Sequence, residues 1–245
     1  MTEQAATVEP AVVDMKLDKW KLFDLVGYEC HHPEVKNFHN EERDNPDSRV
    51  KVCCGPRRST KSYSSAHDVL DQCILPGKRI WIVGPNYSLA EKEFRYIHEA
   101  LVLKRNAIGL PKPKVCLTNP RSGQLYIEWG YGTIVEGKSA DNPQALLGEA
   151  TDRVIYSEAA QIKREIRERY VQPTTITRKG IEIIPTTPDS AGEWVLELFE
   201  KGIDGFFPEI GSFKWSVKAN PIYDMDEYYR AMKFYGKTPV FREQY

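Results

Sequence analysis

Three features of this 245-residue sequence predict an α/β fold, a mostly parallel central sheet flanked by helices. Short apolar, β-branched runs recur at 49–54 (RVKVCC), 79–84 (RIWIVG), 153–156 (RVIY) and 181–185 (IEIIP). Segments of helical spacing alternate with them, the pattern of strands covered on both faces. The third feature is a loop, GPRRSTKS at 55–62, set between the first run and a helix.

Each element follows in order. Residues 1–18 are polar, poor in large apolar groups, and read as a flexible leader. Residues 19–48 begin with apolar groups at helical spacing broken at Gly27, hence a helix, a turn and a second helix. Strand 49–54, the loop and a helix over 62–75 come next. Strand 79–84 and a helix over 88–103 follow, then shorter strands near 114–118, 124–129 and 133–136. Strands 153–156 and 181–185 complete a core that ends near residue 190. The aromatic-rich remainder, 191–245, leans helical at 193–200 and 224–235 and is read as a small lid or linker.

Charge is balanced, 34 Lys and Arg against 35 Asp and Glu, so bulk electrostatics announce no nucleic-acid partner and any such surface is local. The five cysteines include an adjacent pair, Cys53-Cys54, with no CxxC spacing, which argues against a disulfide framework or zinc site. No apolar run is long enough to span a membrane and no signal peptide opens the chain. A soluble protein of a reducing cytoplasm is the expectation.

The loop carries the first chemistry. Phosphates need a nest of backbone N–H groups, a helix N-terminus, a cation and a hydroxyl for Mg²⁺. Gly55, Pro56, Arg57, Arg58, Ser59 and Thr60 form the loop, Lys61 supplies the cation for the β and γ phosphates, and Ser62 supplies the hydroxyl. The pattern G-x-x-x-x-G-K-[ST] is missed only at Thr60. A β-branched residue is poor at unusual dihedrals, so regular backbone is expected there. The competing reading is a basic surface loop, with Ser59 or Thr60 capping the helix.

A phosphate loop needs a carboxylate at the end of another core strand. Strand 153–156 ends in Ser157-Glu158, at the edge where open α/β sheets bind ligands. Glu158 is assigned to polarise the attacking water; otherwise it caps the helix beginning near Ala159. Ser157 occupies the place of the usual metal-shell aspartate, and its hydroxyl could hold a metal-bound water but brings no charge. Together these features specify an ASCE-type P-loop NTPase with ATP and Mg²⁺ as cofactors.

With these residues in place, the chain resembles the ATPase domain of tailed-phage terminase large subunits. The resemblance rests on ordered segments across about 20–245: LFDLVGYECHHPEV, the loop with Arg57, WIVGPNYSLAE, EGKSADNPQALLG, VIYSEAAQI, IIPTTPDS and FREQY. It implies that Arg57 reaches the phosphates as a guanidinium fork, with Arg58 its competitor. It implies that Thr186, Thr187 and Pro188 form a coupling motif sensing the γ-phosphate, where an ordinary turn is the alternative. Glu34 stands where relatives place an adenine-reading Gln, and Leu147 where some place a trans-acting arginine. Tyr28 is a candidate for stacking near the base, or a core aromatic. A metal role for His31, His32 and His39 is disfavoured, since their spacing fits no ligand pattern.

The family implies a homo-oligomeric ring on a portal protein, working with a small terminase subunit on double-stranded DNA in the host cytoplasm. It also places a nuclease domain after the point where this chain stops, so nuclease activity is not expected. The run Lys163, Arg164, Arg167 and Arg169, interleaved with Glu165 and Glu168, is read as a mixed-charge helix in preference to a DNA contact. The alternatives to a translocating motor are a nucleotide-binding assembly module with little hydrolysis, or a helicase-like ATPase.

Overall fold

The computed structural model describes residues 17–30, 32–187 and 192–238. The expectations on the leader up to residue 16, on His31, on Pro188 and on the closing FREQY lie outside these residues.

Helix α1 (Lys19–Val26) starts where the Asp18 carboxylate accepts from Trp20 N–H, and ends at Gly27 in the left-handed region, φ 69°. Helix α2 (Pro33–Asp44) has proline in its first turn and the His32 ring accepting from Glu34 N–H. Strand β1 (Val50–Cys54) leads through the loop into α3 (Lys61–Asp68) and the single turn α4 (Leu70–Cys73). The expected helix over 62–75 is thus two pieces. Strand β2 (Arg79–Gly84) precedes α5 (Tyr87–His98), which runs on as a π-helical turn at Glu99–Leu103.

Strands β3 (Val115–Asn119), β4 (Gln124–Glu128), β5 (Ile134–Ser139) and β6 (Arg153–Tyr156) follow, then α6 (Arg164–Ile166) and α7 (Gln172–Ile176). Strand β7 (Ile181–Thr186), α8 (Glu193–Asp204), β8 (Ile210–Lys214) and α9 (Met225–Tyr235) complete the described chain.

These strands form one eight-stranded sheet in the order β3-β4-β5-β2-β6-β7-β1-β8. All pairings from β5 to β8 are parallel, and only β3–β4 and β4–β5 are antiparallel. This is the mostly parallel α/β sheet that the sequence predicts, and it is consistent with a P-loop NTPase fold. Strand β7 lies between the phosphate-loop strand β1 and the carboxylate strand β6, so both C-terminal ends open onto one edge. Alternation splits the side chains between two cores. Ile80, Ile82, Ile155 and Ile183 pack on one face, and Trp81, Val83, Val154, Tyr156 and Ile184 on the other.

Strand β8 departs from the helical reading of 191–245. Its residues Ile210–Lys214 pair in parallel with β1 from Val50 to Cys54, so the sheet continues beyond residue 190. As an edge strand it buries only Gly211 and Phe213, and it has none of the β-branched run that marked the inner strands.

Candidate functional site

The loop begins in a place that admits only glycine. A Cβ at Gly55 would stand 2.9 Å from the Trp215 carbonyl oxygen and 3.1 Å from Trp215 Cβ, just past β8. Beyond it, Arg58 and Thr60 both adopt left-handed backbone, φ 63° and 66°. This corrects the expectation of regular backbone at Thr60. A β-branched residue held there stores on the order of 1–3 kcal/mol, and such strain persists where the surroundings impose it. Left-handed residues in a turn are what direct successive N–H groups toward an anion.

Neither hydroxyl caps α3. Ser59 Oγ donates to the Pro56 carbonyl at 2.7 Å and Thr60 Oγ1 to the Ser59 carbonyl at 2.6 Å. The first turn of α3 therefore has no side-chain cap, which removes the capping-loop alternative and leaves a helix N-terminus free for an anion. Lys61 is folded into the loop. Its ammonium donates to the carbonyls of Gly55 at 2.7 Å and Pro56 at 2.6 Å, and lies 3.2 Å from Ser59 Oγ. Burial pushes its pKa down to about 8, against the opposing fields of Cys53, Cys54 and Glu158.

At the end of β6, Ser157 is fully buried and donates to the Leu89 carbonyl at 2.8 Å. Glu158 takes φ 51° and ψ 51° and does not cap the turn that follows. It faces Lys92 instead, Oε1 to Nζ 3.6 Å, and is 40% exposed. At the end of β7, Thr186 Oγ1 donates to the Thr187 carbonyl at 3.3 Å.

These groups meet around one cleft of about 970 Å³, lined by the loop from Arg57 to Ser62, by Glu158 and by the Thr186-Thr187 pair. Gly55 and Pro56 join it through Lys61 and not as lining. Glu34 does not reach the cleft; Glu29, Cys30, His32 and Val35 form that wall. Tyr28 contributes to the lining, but one ring face is stacked on His67 at 4.2 Å. Its hydroxyl lies 2.8 Å from His39 Nε2 and 2.9 Å from Ser64 Oγ, so most of its contacts are internal. Ser157 lies behind the wall.

Sequence reasoning passed over Lys92, Gln161 and Asn220, which also line the cleft. Asn220 donates to the Arg58 carbonyl at 2.9 Å and ties the segment after β8 to the phosphate loop. It also passed over Glu93, a buried carboxylate on α5 with neither oxygen hydrogen-bonded. The signal was present: Ala90, Glu93, Phe94 and Ile97 are the buried stripe of α5, and a charge on such a stripe is out of place.

Among the described residues no cluster of three or more His, Cys, Asp or Glu could hold a metal. The oxygens present still suit Mg²⁺. That ion takes hydroxyl, phosphate and water oxygens with one or two carboxylates, and here the Ser62 hydroxyl has the orphaned Glu93 carboxylate nearby.

The three arginines of the basic run after β6 are each paired with a glutamate. Arg167 is buried against Glu182 at 2.8 Å, Arg164 meets Glu197 at 2.7 Å, and Arg169 meets Glu165 at 2.8 Å. The mixed-charge reading holds, with Arg167 facing the core and not solvent. Among the described residues no helix is long and apolar enough to cross a membrane, and all five cysteines are free.

No family model matches the chain. The terminase large subunit of Thermus virus P23-45 is 28% identical over 92% of this chain. The chain is similar to phage terminase large subunits over most of its length. That of Escherichia phage T5 is 25% identical over 96% of the chain. The chain spans about half the length of these curated relatives, 50% and 52%. Among solved structures, the large terminase ATPase domain of Thermus phage P74-26 superposes with a TM-score of 0.69 at 24% identity, covering 91% of this chain and 95% of that one. The large terminase of a thermophilic bacteriophage, solved in complex with ADP, gives 0.64 at 12% identity over 86% of this chain and 52% of its own. The fold of the chain is accordingly that of a large terminase ATPase domain.

Proposed function

We propose that the cleft binds ATP with Mg²⁺ and hydrolyses it, and that the chain is the motor part of a terminase large subunit that moves double-stranded DNA into a procapsid. The observation that carries this reading is the convergence of Lys61, Glu158 and Thr186 on one cleft, from the ends of β1, β6 and β7. The ADP held by one structural neighbour supports it.

The chemistry follows from the side chains. The N–H groups at the start of α3 and the Lys61 ammonium receive the phosphates, where an anion offsets the buried charge. Glu158, outside the ammonium's hydrogen-bonding shell and partly exposed, accepts a proton from the water that attacks the γ-phosphorus. The bond to the bridging oxygen breaks and ADP leaves. Arg57 on the lining, with Arg58 its competitor, stabilises the spreading charge, and Thr186 and Thr187 sense the loss of the γ-phosphate. Ser62 would hold Mg²⁺, with Glu158 acting through water, and the ion would supply charge neutralisation for the phosphates. Tyr28 borders the base end.

The finer partners belong to the same proposal: a ring docked on a portal in the host cytoplasm, with a small subunit supplying the DNA. The segment after β8 serves as the lid, through Asn220. DNA contact by the run after β6 is not part of it, because its arginines are engaged.

Phosphate release measured with the wild type and Lys61→Ala tests the reading. Turnover should fall by at least about a hundredfold in the variant, and equal rates would overturn the assignment. A second reading, a nucleotide-binding assembly module, is favoured by Ser157, whose buried hydroxyl is committed to Leu89. Tight ATP binding without phosphate release in the wild type is its signature.

A further inference from the structure

Helix α5 crosses the end of β6, where the Leu89 carbonyl accepts from Ser157. Glu93 lies one helical turn after Leu89, on the same face. It is completely buried, and both of its oxygens lack a hydrogen-bond partner among the described residues. An orphaned carboxylate is among the costliest groups a core can hold, and its retention calls for a partner absent from the polypeptide.

Its neighbours identify the chemistry of that partner. Burial raises the Glu93 pKa, and the hydroxyls of Ser157 and Ser62 stand close enough to oppose the rise without closing a hydrogen bond. Ser62 lines the cleft at the start of α3. Ser157 holds the strand-end place of the metal-shell aspartate. A carboxylate therefore lies beside both positions that a phosphate-bound divalent cation uses, supplied by a helix in place of the strand.

We propose that Glu93 provides the negative charge of the Mg²⁺ site that Ser157 does not. The proposal rests on the reading of the cleft as an ATP site. A small hard cation next to Ser62 pairs the carboxylate, directly or through one of the waters Mg²⁺ retains. The neutral hydroxyl of Ser157 then suffices at the strand end, where a second carboxylate would repel Glu93.

The test uses the full chain with a fluorescent ADP analogue, titrated in Mg²⁺ and in EDTA, and Mn²⁺ binding to the ADP-saturated protein followed by electron paramagnetic resonance. Wild type should bind ADP more tightly with Mg²⁺. Glu93→Gln should lose that gain and hold Mn²⁺ about 10–100-fold more weakly. Adding Ser157→Asp to Glu93→Gln should recover Mn²⁺ affinity, because the charge returns at the neighbouring position. Wild-type Mn²⁺ affinity in Glu93→Gln would overturn the proposal and show a neutral buried acid with no metal role. If Glu93→Gln does not fold, Glu93→Asp decides by the same readout: weakened Mn²⁺ supports the proposal, and unchanged affinity overturns it. Failure of the wild type to bind ADP in either condition is a separate result, which removes the ATP reading and this proposal with it.

Discussion

At Lys61 two requirements oppose each other. A phosphate site needs a fixed cation, while the fold buries that cation against loop carbonyls and lowers its pKa to about 8. A bound phosphate favours the charged form, so the complex holds more of this proton than the free protein does once the pH passes 8. Linkage then requires nucleotide affinity to fall as pH rises, approaching tenfold per pH unit above about 8. ADP titrations between pH 7 and 10 check this, with Lys61→Arg as the control that should stay nearly flat. A wild-type affinity constant across that range would detach Lys61 from the phosphates. At the same scale, the meeting of Lys61, Ser62 and Glu158 at one cleft was legible because each stands at a fixed place beside a strand. The place of Glu34 was not, because the cleft wall there is formed by Glu29, Cys30, His32 and Val35, and which side chains of a helix start face a cleft is not written in residue spacing. The left-handed backbone at Thr60 was not legible, because it belongs to the path of the loop and runs against the preference of a β-branched residue.

Elements join through groups that no periodicity reveals. Beneath α3, Asp68 accepts from His39 Nδ1 at 2.8 Å and from Lys51 Nζ at 2.5 Å, and both its partners are buried. His39 Nε2 lies 2.8 Å from the Tyr28 hydroxyl, which links α2 and the residues after α1 to the phosphate-loop helix. Burial lowers the pKa of His39 to about 4 and of His67 to about 3. Both folded values lie below the unfolded value near 6.5, so unfolding takes up protons as the pH falls. The stability they confer is complete above pH 6.5 and is lost progressively toward pH 4, by up to about 1.4 kcal/mol per pH unit for each histidine. The Asp68 carboxylate is held below its usual range, by Lys19 and Lys51 foremost against the burial that raises it, so its own loss comes at lower pH. Urea unfolding between pH 7 and 4 should show this slope, and His67→Phe should reduce it by about half. A flat profile would mean that the histidines are not buried neutral. The inner strands β1, β2, β6 and β7 were legible because burial on both faces favours runs rich in apolar, β-branched residues. Strand β8 was not, because an edge position asks for only two buried residues.

For the whole molecule, the cleft gathers walls from segments far apart in the chain: Tyr28, Glu29, Cys30, His32 and Val35, the phosphate loop, α5, the ends of β6 and β7, and Ala219 to Ile222. The sheet order brings the strand ends together, and it was foreseeable once a phosphate loop and a strand-end carboxylate were both present. The outer walls were not, since they depend on how α2 and the segment after β8 return to the sheet. Asn220 on Arg58 is one such return, and Trp215 on Gly55 another. A ligand that touches all these segments is lost only when they separate, so it should raise the unfolding temperature of the chain as a unit. At about a hundred times its dissociation constant, ADP with Mg²⁺ should add about 2.7 kcal/mol to the folded state. In a chain of this length that corresponds to an increase of about 5–10 °C. Differential scanning calorimetry should show one transition moving upward in the wild type and scarcely moving in Lys61→Ala. A transition that splits, with only part shifting, would show that the segment after β8 unfolds on its own and does not close the site.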